Sequence, residues 1–118
     1  MPHPDDEQIA SGAWELGVHA FCQNESTANP FDPLTHPTSH KCWKAAVTET
    51  AEQELSKALE DIAVLIQDLK LGLAFGHMLE AVTTAARWNV SFSPSHAQKL
   101  EKMTAVARSL WPSSVFGN

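Results

Sequence analysis

Apolar residues recur every three or four positions along most of the chain, which is the spacing of amphipathic helices. The first run extends from Glu7 to Cys22 and predicts one helix, with Trp14 and Val18 on a second flank of it. Its main apolar stripe contains Ile9, Ala13, Leu16, Ala20 and Phe21. A second run starts near His40 and keeps helical phase for about eight turns. Its apolar positions are Trp43, Val47, Ala51, Leu55, Leu59, Ile62, Ile66 and Leu69.

Two more helices are predicted in the second half of the chain. Gly72 and Gly76 each disfavour a helix by about 1 kcal/mol relative to alanine, so we expect a kink or turn between Leu71 and Gly76. A further helix is expected to follow to about Trp88, and its apolar positions are Phe75, Leu79, Val82 and Ala86. Ser93 and Pro94 predict the next start, with serine as cap and proline at the first helical position. This last helix is expected to end at Trp111 and to bury Ala97, Leu100, Met103, Ala107 and Leu110.

Between the first two helices, residues 23–38 contain three prolines together with Asn, Ser and Thr, and therefore predict an ordered loop. Thr38 or Ser39 is expected to cap the helix that follows. The fold class predicted is all-α, a small bundle of about four helices with an ordered proline-rich loop after the first. At 118 residues the chain fits one domain, residues 1–118, in which 48–111 form the bundle helices and 112–118 a tail.

Leu55, Ile62 and Leu69 repeat at intervals of seven, which also fits a dimeric coiled coil. We favour a long bundle helix, because the stripe is shorter than the usual four heptads. A homodimer remains an alternative.

Charge divides the chain unevenly. Residues 1–40 contain no Lys or Arg, and their six acids are Asp5, Asp6, Glu7, Glu15, Glu25 and Asp32. Residues 81–118 contain a single acid, Glu101, and four basic residues, Arg87, Lys99, Lys102 and Arg108. An acidic face repels phosphate backbones and attracts basic surfaces. We therefore expect these acids to contact a protein or ribonucleoprotein complex with a basic surface, and we expect no direct nucleic-acid binding. Acidity that serves solubility alone is the alternative reading.

The sequence indicates a cytoplasmic protein that does not enter a membrane. Its first residues are acidic, unlike those of a secretory signal, and the apolar stretch 62–79 is interrupted by Gln67, Asp68, Lys70 and His77. Two cysteines are too few for a disulfide scaffold.

Histidines and cysteines cluster in the first third of the chain, at His19, Cys22, His36, His40 and Cys42. Two thiolates and two imidazoles could close a tetrahedral zinc site, although the spacing matches no standard zinc finger. A cysteine nucleophile with His36 or His40 as its base is a related alternative. A buried Cys22 beside solvated histidines is the simpler interpretation. We expect no cofactor and no catalytic residue, since the phosphate-loop, serine-elbow and helical metalloprotease motifs do not occur.

Three short stretches resemble a known family. They are Gly17-Val18-His19-Ala20-Phe21, Asn29-Pro30-Phe31-Asp32-Pro33 and Trp43-Lys44-Ala45-Ala46. This region, residues 10–47 or about a third of the chain, is similar to the small proteins of the ribosome modulation factor and CrpP-like group. The resemblance implies a compact helix-loop-helix and, for the best-known members, ribosome binding. It also implies that the motif residues Gly17, Asn29, Pro30, Phe31 and Trp43 serve as scaffold. Ribosome-binding members are strongly basic, whereas this segment has no basic residue before Lys41.

The reversed charge indicates a changed partner on a retained scaffold. The hypothesis is a non-catalytic acidic binding protein, an inhibitor from a phage or mobile element in the manner of anti-CRISPR proteins, that blocks a nucleic-acid-binding host complex. A ribosome-associated stress factor is the first alternative. A small zinc-stapled or thiol enzyme is the second.

Overall fold

The computed structural model describes residues 2–25 and 27–111, and in these residues it contains four helices and no strand. The helices are α1 (Asp6–Cys22), α2 (Pro37–Gln67), α3 (Leu71–Arg87) and α4 (Pro94–Leu110). The predicted all-α class with four helices is therefore confirmed, while the predicted tail 112–118 lies outside the described residues. The chain clusters into two compact units, Met1–Ala51 with Arg87–Val90, and Glu52–Ala86 with Ser91–Asn118. The assignment of a single domain stays a prediction.

The first unit is built on a close contact between α1 and the start of α2. Its apolar cluster contains Ala13, Ala20, Trp43, Val47 and Trp88, and the Trp88 ring lies 5.4 Å from that of Phe21 and 6.3 Å from that of Trp43. The face that α1 buries is made of small residues at helical spacing, namely Ala10, Ala13, Gly17 and Ala20. The predicted stripe is therefore correct at Ala13 and Ala20 but wrong at Leu16, which is 52% exposed. Small side chains let two helices approach closely, so the larger ones remain on the flanks.

The second unit contains residues 52–67 of α2, α3 as far as Ala86, and α4. Its cluster of buried residues consists of Ile62, Ile66, Leu71, Ala74, Met78 and Ala107. Leu55 and Ile62 are buried within the chain, whereas Leu69 is 67% exposed. Of the three residues at intervals of seven, Ile62 packs in the cluster of this unit, and the dimeric coiled coil stays an untested alternative.

The break between α2 and α3 lies before the two glycines that were expected to cause it. Gly72 and Gly76 are inside α3, and the chain turns at residues 68–70. Leu69 adopts a φ of 59°. The Lys70 N–H donates to the Leu65 carbonyl at 2.8 Å, and the Leu69 N–H donates to the Ile66 carbonyl at 3.0 Å. These two bonds form a Schellman motif with leucine in the left-handed position that glycine usually occupies.

The predicted buried positions of α3 and α4 are partly wrong. Leu79 and Val82 are exposed, and α3 instead buries Leu71, Ala74, Met78 and Ala85. In α4 only Ala107 is buried, whereas Ala97 and Leu110 are exposed. The predicted start of α4 is confirmed, because the Ser93 hydroxyl accepts from the His96 N–H and Pro94 occupies the first turn. Among the described residues, no helix combines the length and the apolar character needed to cross a bilayer.

Candidate functional site: the acidic surface of the first unit

One of the six predicted contact acids, Asp6, is buried. Its carboxylate accepts hydrogen bonds from the Thr38 N–H at 2.8 Å, the Ser39 N–H at 3.0 Å and the Ser39 hydroxyl at 2.6 Å. That hydroxyl also lies 3.0 Å from the Asp6 carbonyl oxygen. Asp6 therefore caps α2 from another helix, and the prediction that Thr38 or Ser39 provides the cap is wrong.

This internal role sets the ionisation of the Asp6 carboxyl. Burial acts to raise its pKa, but the hydrogen bonds from Ser39 and Thr38 act in the opposite direction and outweigh it. The pKa is lowered from 3.8 to about 2. Asp6 is thus ionised at neutral pH. Its charge lies between α1 and α2 and is shielded from solvent.

The other five predicted contact acids are exposed: Asp5, Glu7, Glu15, Glu25 and Asp32. Glu25 lies 3.2 Å from the His19 imidazole, and the Asp32 carboxylate accepts from the Leu34 N–H at 2.8 Å. Within residues 2–25 and 27–111, none of the five forms an ion pair with Lys or Arg. Apart from the contact of Glu25 with His19, their charge is therefore not offset by a described basic side chain at short range.

The residues of the family-like motif pack and bond inside the first unit. A Cβ at Gly17 would lie 2.6 Å from the Trp43 carbonyl oxygen and 2.9 Å from the Ala46 Cβ, so only glycine allows this approach of α1 to α2. Trp43 is buried, Phe31 packs against the same cluster, and Pro30 is exposed in the loop.

Asn29 connects that loop to α2. Its side-chain amide donates to the His40 carbonyl at 2.9 Å, and its side-chain oxygen accepts from the Phe31 N–H at 3.0 Å. The His40 Nδ1 lies 2.8 Å from the Phe31 carbonyl oxygen, so this nitrogen carries the proton and donates. The loop is thereby fixed to the helix that presents Trp43.

The histidines and cysteines proposed as zinc ligands are not brought together. Among the described residues, no group of three or more His, Cys, Asp or Glu side chains could hold a metal ion. His19 pairs with Glu25, whereas the His36 ring stacks on that of His3 at 4.9 Å. Cys22 is exposed, which contradicts the expectation of a buried thiol, and Cys42 packs against the apolar cluster. No hydrogen bond joins either thiol to a histidine in the part of the chain that is described.

A cluster of acid, imidazole and hydroxyl groups in the second unit was missed by sequence reasoning. The Glu52 carboxylate accepts from the Ser93 N–H and contacts the His96 Nδ1, and the Ser93 hydroxyl lies 3.4 Å from it. All three residues are half-buried. In a capping box, an acid at the third helical position accepts from the N–H of the cap residue. Here His96 occupies that position and binds Glu52, which supplies the carboxylate from α2.

This arrangement differs from that of a nucleophilic triad. The Ser93 hydroxyl contacts the carboxylate instead of the imidazole, so the imidazole is not placed to remove its proton as it does in a triad. In the sequence, only the spacing of Ser93 and His96 around Pro94 indicates this cluster. Glu52, its third member, is 41 residues before Ser93, and no neighbouring residue marks its role.

The first unit thus carries five exposed carboxylates without a described Lys or Arg partner, distributed over the middle and both ends of α1 and the loop of a tightly packed helix-loop-helix. Comparisons of the chain with protein-family models, with curated proteins and with solved structures found no match.

Proposed function

We propose that the protein is a non-catalytic binding protein whose acidic first unit covers a basic surface of a nucleic-acid-binding protein or ribonucleoprotein complex. The observation that carries this proposal is the set of five exposed carboxylates without a Lys or Arg partner. Exposed charges of one sign steer a partner of opposite charge and repel phosphate, so the partner meets this surface in competition with nucleic acid. An inhibitor from a phage or mobile element, of the anti-CRISPR kind, is the form of this function that we favour.

The scaffold supports this role. The capped start of α2 and the contact at Gly17 hold α1 and the loop in place, so the carboxylates are presented from ordered backbone. A preorganised surface loses less conformational entropy on binding than a flexible acidic segment does. Asp6 stabilises this surface without forming part of it.

The test compares two charge variants in affinity capture from a lysate of the native host. The first variant neutralises four exposed acids of the first unit, and it spares Asp32 because that carboxylate holds a turn of the loop. Its substitutions are Asp5→Asn, Glu7→Gln, Glu15→Gln and Glu25→Gln. The control makes the same change of charge at exposed acids of the second unit. Its substitutions are Glu54→Gln, Glu60→Gln, Asp61→Asn and Glu80→Gln.

We expect the wild type and the control to retain the same basic nucleic-acid-binding protein, and the first variant to lose it. Capture by the wild type should weaken as salt rises, because exposed charges are screened. Added nucleic acid should displace the partner. The proposal is refuted if both variants capture the same proteins with the same salt dependence. Sedimentation of the wild type with ribosomes at moderate salt would instead favour the ribosome-associated alternative.

A further inference from the structure

Trp14 differs from the other tryptophans of the chain in its surroundings. Trp43 and Trp88 are buried in the cluster of the first unit, and the Trp111 ring lies 5.2 Å from that of Phe75 in the second. Trp14 is 36% exposed and belongs to neither cluster. Among the residues described, it makes no ring contact and no hydrogen bond. The exposed third of this large indole forgoes the stabilisation that burial would give it.

Helical spacing places one carboxylate of α1 on the flank that carries this indole and a second next to that flank. Glu7, Ser11, Trp14 and Val18 follow one another at intervals of four, three and four, so they lie along one flank of α1, and Glu15 lies beside it. Glu7 is about 10 Å from Trp14 along the helix axis. We call these five residues the Trp14 face. Glu7, Ser11 and Glu15 are exposed, and α1 contains no Lys or Arg.

We propose that the Trp14 face binds an arginine-rich segment of a partner protein, with one guanidinium stacked on the Trp14 indole and others paired with Glu7 and Glu15. This inference rests on the proposed function and specifies the chemistry of its partner. Guanidinium is planar and weakly hydrated, so it stacks on an indole more readily than the ammonium of lysine does. It also pairs with carboxylates through two parallel hydrogen bonds. Tryptophan and arginine are both enriched among the residues that dominate binding energy at interfaces.

Charge disfavours two other occupants of this face. Unpaired bases also stack on tryptophan, but their phosphates would meet Glu7 and Glu15. A second copy of α1 would bring the same carboxylates against each other, because a two-fold interface pairs identical surfaces. A basic protein segment can stack on the indole and pair with the carboxylates at the same time.

The experiment measures binding of two fluorescently labelled probes, an oligoarginine and an oligolysine peptide of equal length, by fluorescence anisotropy. The full chain is compared with Trp14→Ala and with Leu16→Ala, a control that truncates an exposed apolar residue on the opposite flank of the same helix. Circular dichroism confirms that each variant is folded. The four-acid variant of the first unit is included to separate charge from stacking.

We expect the wild type to prefer oligoarginine over oligolysine. Trp14→Ala should weaken oligoarginine binding about five- to thirtyfold and reduce that preference, since a cation on an aromatic face contributes about 1 to 2 kcal/mol. Leu16→Ala should bind like the wild type. The four-acid variant should lose affinity for both peptides.

Equal behaviour of Trp14→Ala and Leu16→Ala overturns the inference. If the four-acid variant loses binding while Trp14→Ala keeps the arginine preference, the inference fails and the proposed function stands. If the wild type binds neither peptide even at low salt, the inference fails, and so does the premise that the exposed carboxylates attract a basic partner. A dimer that Trp14→Ala dissociates in analytical ultracentrifugation would show that a second copy occupies the face, which also overturns the inference.

Discussion

Replacing Gly17 by alanine tests the closest contact in the first unit. The added Cβ would lie 2.6 Å from the Trp43 carbonyl oxygen and 2.9 Å from the Ala46 Cβ, and neither atom is the end of a flexible side chain. Overpacking a tight contact costs about 1 to 3 kcal/mol, and we take the upper half of this range because backbone must move. Alanine regains about 1 kcal/mol through its higher helix propensity. We therefore expect a net loss of about 1 to 2 kcal/mol.

Gly12 provides the matched control, since it lies in the same helix and, apart from its chain neighbours and the backbone of its own helix, no heavy atom is within 4 Å of its added Cβ. Gly12→Ala should stabilise the fold by up to about 1 kcal/mol. Urea unfolding followed by helical circular dichroism measures both variants, and thermal midpoints should differ in the same direction by several degrees. If Gly17→Ala proves as stable as Gly12→Ala, the close approach of α1 to α2 is not what constrains this position.

Three further predictions concern helix ends. Because the pKa of Asp6 is lowered, its carboxylate contributes stability above about pH 4, and this stability is lost as pH falls towards 2. The free energy of unfolding of Asp6→Asn should therefore change less over that range than that of the wild type. Urea titration at each pH measures the difference. Glu52→Ala should lower the free energy of unfolding by about 1 to 2 kcal/mol and speed amide exchange at the start of α4. Its control Glu54→Ala breaks only an exposed ion pair and should lower the free energy of unfolding by less than about 0.5 kcal/mol. Leu69→Gly should raise the free energy of unfolding by about 0.5 to 1 kcal/mol, because glycine adopts the left-handed backbone without strain; a lower urea midpoint would contradict this reasoning.

The sequence predicted the helices well because each has apolar residues at intervals of three or four, and because Ser93 and Pro94 mark the start of one of them. Ser93 with Pro94 predicted the start of α4 correctly. The buried faces were harder to predict, because hydrophobicity favours leucine over alanine whereas close helix packing favours the smaller residue. Leu16 and Leu79 were consequently expected inside and are exposed. The turn at Leu69 contains neither Gly nor Pro and left no signal at all.

Charge alone predicted the six contact acids, and their role in binding stays a prediction. Five of the six acids in residues 1–40 are exposed, as binding requires, but Asp6 is used inside the fold. Composition cannot distinguish a carboxylate that caps a distant helix from one that faces water, because the distinction depends on contacts more than thirty residues apart. The role of Glu52 was missed for the same reason.

The two carboxylate caps also have a consequence for how the chain folds. α2 and α4 both begin with proline, and each obtains a carboxylate at its start from another helix of its own unit. A peptide that contains only α2 or only α4 lacks that acid, so its first turn should fray. Helix formation and helix docking are therefore coupled within each unit, and each unit should gain its helical order cooperatively instead of by assembling helices already formed.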